Sequence, residues 1–108
     1  MRKTMSDLIF PKTVKLRRKS DGAEVEAMLH DGTQQRAVDI SVWAGAKGFT
    51  INIGYRGGEP NDWFLSFFPS TQRHEKARIG DWVLWDGAVF YFCPGDRIND
   101  LYGRMNDE

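Results

Sequence analysis

Alternation of apolar and polar positions runs through most of this chain. Thr13 to Arg17 sets Val14 and Leu16 on one side and Lys15 and Arg17 on the other, the period of a half-buried strand. Glu24 to Leu29 repeats the pattern, with Val25, Ala27 and Leu29 against Glu24 and Glu26. Ser20-Asp21-Gly22 between them carries turn chemistry, so a first hairpin is predicted. Its polar face sets cations opposite carboxylates, at ~0.2–1 kcal/mol per pair. Phe49 to Tyr55 is the clearest strand: Phe49, Ile51, Ile53 and Tyr55 share one side, and Thr50, Asn52 and Gly54 the other. The glycine-rich loop from Arg56 to Asp62 leads to Trp63–Phe68, a strand expected to run antiparallel to it. Pro69 to Arg78 reads as a polar connection with at most one helical turn.

The richest apolar pattern lies between Ile79 and Cys93. Two runs of β-branched and aromatic residues flank Asp86-Gly87, which predicts a hairpin closed by a two-residue type I′ turn. In that register Trp85 faces Ala88 and Trp82 faces Tyr91. One face then holds Val83, Trp85, Ala88, Phe90 and Phe92, and the other Trp82, Leu84, Val89, Tyr91 and Cys93. An open antiparallel sheet shows one polar face, so the second apolar face has to be covered within the domain, by a partner or by a second copy. Beyond Pro94, Asp96 is placed to cap a short helix in which Ile98 and Tyr102 lie on one side, with Gly103 as its stop.

The segment from Gln34 to Gly45 fits two periods. Val38-Asp39-Ile40-Ser41-Val42 alternates and is β-branched, as in a strand. Ala37, Ile40 and Ala44 recur at helical spacing, Thr33 suits an N-cap and Gly45 a C-cap, as in a helix. Local pattern leaves this choice open.

Composition narrows the class. A chain of 108 residues, 41% hydrophobic and 28% charged, is one globular domain with no need of disulfide or metal staples. Formal net charge is zero, which argues against whole-molecule attraction to nucleic acid. The charge is uneven, however: residues 1–19 carry Arg2, Lys3, Lys12, Lys15, Arg17, Arg18 and Lys19 against Asp7 alone. A contact surface and a solvated, self-protecting edge strand both explain it. Cys93 is the single cysteine and suits a reducing compartment, and no apolar run reaches the ~20 residues of a membrane span. The start of the chain lacks the apolar core of a signal peptide, so a cytoplasmic protein is expected.

Catalytic chemistry finds little to stand on. His30, Asp31, His74 and Cys93 show no metal-ligand spacing, no serine lies in a Gly-x-Ser-x-Gly turn, and Cys93 between Phe92 and Pro94 reads as a small buried hydrophobe. Arg56-Gly57-Gly58 lacks the ending of a phosphate-binding loop. The chain is therefore expected to be neither an enzyme nor a cofactor binder.

Gly80-Asp81-Trp82-Val83-Leu84, then Tyr91-Phe92-Cys93, then Ile98-x-x-x-Tyr102 follow one another in a recognisable order. Upstream stand Val25-Glu26-Ala27, Asp31-Gly32 and the segment Gln34–Gly45. In these motifs the chain resembles a group of small uncharacterised bacteriophage and prophage proteins, over about residues 24 to 102. The group carries Phe where Ile98 stands and Lys-Pro where Pro94-Gly95 stands. The first hairpin and the stretch from Glu59 to Lys76 look additional to it. The resemblance implies a helix over residues 34–45, a phage origin and the host cytoplasm; it implies no activity or cofactor.

The expected fold is α+β: a twisted, mainly antiparallel sheet of about five to six strands, one central helix and a short C-terminal helix. Residues 1–10 are expected as a flexible arm, 11–103 as the single domain and 104–108 as a polar tail. The leading functional expectation is a phage accessory protein that binds a host or phage protein, for example to inhibit a host defence complex such as a CRISPR effector. Trp63, Phe64 and Trp85 are the candidate anchors, and Arg17, Arg18 and Arg56 the candidate rim charges. A homodimer is an alternative partner. Two further readings are a protein that sequesters a nucleotide signal through Arg56 and Arg73, and a nucleic-acid binder.

Overall fold

The computed structural model describes residues 13–58, 60–67 and 76–104. The expected arm over 1–10, most of the polar tail and the connection from Pro69 to Glu75 lie outside the described residues. The fold is α+β. In chain order come β1 (Val14–Arg18), β2 (Glu24–Leu29), α1 (Gln34–Ala46), β3 (Ile51–Tyr55), β4 (Trp63–Phe67), β5 (Lys76–Ala77), β6 (Trp82–Trp85), β7 (Phe90–Cys93), α2 (Ile98–Leu101) and β8 (Tyr102–Arg104). The strands divide into a five-stranded sheet, in the order β7-β6-β2-β1-β8, and a three-stranded sheet, β3-β4-β5. Every adjacent pair is antiparallel. Among the described residues no helix is long and apolar enough to cross a membrane.

The two apolar faces of the β6–β7 hairpin belong to two cores. Val83 and Phe90, with Met28 of β2, pack against Ala37, Ile40, Trp43 and Ala44 of α1 and against Ile51, Leu65 and Ala77 of the small sheet. On the reverse face, Leu84 and Cys93 pack with Leu16, Val25, Ala27, Ile98 and Tyr102, and Trp82 and Tyr91 lie against that cluster. Burial of both faces is why the hairpin reads as nearly continuous apolar sequence. Cys93 is buried, as expected of a small hydrophobe.

The hairpin register is shifted by two residues from the expected one. Trp85 pairs with Phe90, Leu84 with Tyr91, Val83 with Phe92 and Trp82 with Cys93. A shift of two keeps every side chain on its expected face. The loop is longer because Asp86 closes it through its side chain: its Oδ1 accepts the amides of Ala88 at 2.9 Å and Val89 at 3.0 Å. Only Gly87 has positive φ there, whereas a type I′ turn requires positive φ at both central residues.

Segment 34–46 is helical, and its caps show why. Thr33 Oγ1 accepts the Arg36 amide at 3.1 Å, while Asp31 Oδ1 accepts both the Thr33 hydroxyl at 2.6 Å and the Thr33 amide at 3.0 Å. The Thr33 hydroxyl bond is the main reason that the Asp31 carboxyl sits below the usual carboxylate range. At the other end Lys47 is the C-cap, and the left-handed glycine that follows it is Gly48, not Gly45. The Gly48 amide bonds Gly45 O and the Phe49 amide bonds Ala44 O, each within 3.0 Å, with Gly48 at φ 86. That is a Schellman closure. It places Phe49 outside β3, where alternation alone had put it.

Two short elements differ from expectation. Lys76–Ala77, read as part of a connection, is an edge strand paired to β4. Tyr102 and Gly103, expected at the end of a C-terminal helix, form β8 beside β1. The Lys19 amide bonds Leu101 O at 2.9 Å and draws the chain to the β1 edge, so α2 stops after one turn. Arg97, not Asp96, occupies its N-cap position, and no side chain caps it.

The segment His30-Asp31-Gly32 joins the sheets. The His30 amide bonds Asp81 O at 2.9 Å, the Gly80 amide bonds His30 O at 2.8 Å and the Trp63 amide bonds Gly32 O at 3.1 Å. The wholly buried His30 ring adds a fourth tie, Nε2–H donating to Trp63 O at 2.8 Å. Asp81 fixes the hairpin's two ends together, Oδ1 accepting the Gly95 amide at 3.2 Å and Oδ2 the Arg78 amide at 3.0 Å. The Gly80-Asp81 motif thus acts on the scaffold.

Candidate functional site

The small sheet and α1 cover only part of the larger sheet. They sit over β6, β7 and the end of β2. The same face continues across β1 and β2 as a ledge of charged residues. Lys15 stands opposite Glu26, and Arg17 opposite Glu24. Glu26 is in turn opposite Trp85. A cavity of about 220 Å³ opens at this step, lined by Lys15, Glu24, Glu26, Trp85 and Asp86, with the backbone around Val25 and Gly87.

The wall of the step is aromatic. Trp85 lies against Phe90 with ring centroids 4.6 Å apart, and Phe49 meets Trp85 edge-on at 5.4 Å and Phe90 at 5.6 Å. Trp43 completes the group, edge-on to Phe90 at 5.0 Å. Such pairs contribute ~0.5–1.5 kcal/mol each beyond area burial. The inner members are buried, but Phe49 keeps 38% of its surface exposed and Trp85 is half-buried. Lys47 bridges wall and ledge, its Nζ 3.7 Å from Glu26 Oε1 and 5.6 Å from the Trp85 ring centroid. An exposed aromatic edge beside mixed charges is the make-up of a protein contact: an anchor with a polar rim.

The six candidates named from sequence do not converge on one patch. Trp85 and Arg17 share the face just described, where Arg17 Nη1 donates to Gly22 O at 3.0 Å. Arg18 is on the reverse face, bonded through Nε to Asp21 at 3.1 Å and through Nη1 to the Tyr91 hydroxyl at 3.0 Å. Trp63 stacks on Tyr55 at 4.8 Å in the small sheet, and Arg56 beside it is 3.8 Å from Asp62. Phe64 lies on the small sheet's outer face, its ring over Gly54 and beneath the Lys76 ammonium at 4.9 Å. In the basic first strand Arg18 is paired with Asp21, and Lys15 and Arg17 stand opposite Glu26 and Glu24. That strand is also not an edge, because β8 flanks it.

Sequence reasoning passed over Lys15, Glu24, Glu26, Lys47, Phe49 and Asp86 as site residues. Lys15, Glu24 and Glu26 were visible as the polar side of the first hairpin. Nothing local says that this side meets Trp85, because the β2–β6 pairing joins residues nearly sixty apart in sequence. Phe49 was hidden by its fit to the strand alternation.

On the reverse face, Tyr91 accepts hydrogen bonds from Arg18 and from the Tyr102 hydroxyl at 3.0 Å. Burial pushes the Tyr91 hydroxyl above tyrosine's ordinary range. The unfolded chain ionises near pH 10 while the folded chain holds the proton, so stability falls as pH rises above about 10. Urea unfolding across about pH 9–12 should show this decline, and Tyr91→Phe should flatten it; an unchanged slope would sink the assignment.

Among the described residues no group of three or more His, Cys, Asp and Glu is arranged to hold a metal ion. No protein-family model, curated protein or solved structure matches the chain.

Proposed function

We propose that this is a non-enzymatic phage accessory protein that works by binding another protein, with inhibition of a host defence complex in the host cytoplasm as its role. One observation carries the docking part: the half-exposed Phe49–Trp85 edge stands directly beside the charged ledge of β1 and β2, where the second layer of the fold stops. The phage setting rests on the ordered motifs from Val25 to Tyr102. The nucleotide alternative has less to draw on, because Arg56 is paired with Asp62.

The test is affinity purification from host cells with the wild-type chain and three variants. Phe49→Ala and Glu24→Lys should each lower recovery of a specific partner about tenfold, the loss expected of a contact worth ~1.4 kcal/mol. Their melting temperatures should fall by no more than about 4–8 °C, since Glu24 is exposed and Phe49 lies at the outer edge of the aromatic group. Val42→Ser, on the exposed face of α1, should leave recovery unchanged. Equal recovery with all three variants would rule out this face as the docking site.

A further inference from the structure

We draw no further inference here: the strongest candidate, the cavity of about 390 Å³ between the β1–β2 turn and α2 that Arg18, Lys19, Ser20, Asp100, Leu101 and Tyr102 line, carries nothing because its cations are already engaged, Arg18 by Asp21 and the Tyr91 hydroxyl and Lys19 by the Asn99 carbonyl, and nothing among the described residues points to a ligand.

Discussion

Gly95→Ala should abolish the cooperative unfolding transition under conditions where the wild type is folded. A Cβ at Gly95 would overlap the backbone carbonyl oxygen of Gly80. That carbonyl cannot step aside. The Gly80 amide is bonded to His30 O, and Asp81 next to it holds His30, Arg78 and Gly95 itself. A clash with a backbone tied at so many points costs about 4 kcal/mol or more, a large part of the ~5–15 kcal/mol that stabilises a typical domain. The control is Gly45→Ala. Gly45 is helical, and a Cβ there meets nothing within 4 Å. That variant should gain ~0.5–1 kcal/mol from helix propensity. Circular dichroism during urea unfolding reads both. A Gly95→Ala midpoint equal to the wild type's would show that the close approach of the two glycine segments is not needed.

His30→Ala carries the second large effect, and it falls on the seam between the sheets. The ring is wholly buried and donates to Trp63 O across that seam. Its other nitrogen, Nδ1, is buried without a hydrogen-bond partner, a loss of about 1–3 kcal/mol that the fold tolerates to keep the ring in place. Truncation to alanine removes the tie and leaves a cavity, at a cost of about 3–4 kcal/mol. His30→Gln keeps an N–H donor of similar reach and should cost about half as much. The location of the damage is as informative as its size. Amide exchange at Trp63 and Gly80 should accelerate more than at Leu84, because the seam opens before the large sheet does. Uniform acceleration would mean that His30 is ordinary core.

These two positions bear on how function is assigned. Gly80 and Asp81 belong to the motif most visible in the chain, and both are occupied in the scaffold, bonded to His30 at the seam between the sheets and, through Asp81, to Gly95 at the end of the hairpin. Residues free to meet a partner are those that the second layer leaves uncovered: Glu24, Phe49 and the outer edge of Trp85. Candidates chosen for size and charge alone therefore scattered. Trp63 and Phe64 alternate on one strand and so point to opposite faces of the small sheet. Arg17 and Arg18 do the same on β1.

Much of the fold was legible without coordinates. Period-two alternation marked β1, β2 and β3, because a strand buried on one face must alternate, and the apolar run Trp63–Phe68 marked β4. Thr33 marked the start of α1, because its hydroxyl satisfies an amide that the helix cannot. The two apolar faces of β6 and β7 required that both be covered. Pairings between distant segments were not legible. Nothing local sets β6 beside β2, lays β8 along β1 or divides the strands into two sheets. Those outcomes depend on which apolar faces can be buried together, and that free energy belongs to no single segment. The site shares this origin. Sequence alone placed carboxylates on β2 and an indole on β6; only the packing of one layer short of the other's edge brought them to a common cavity.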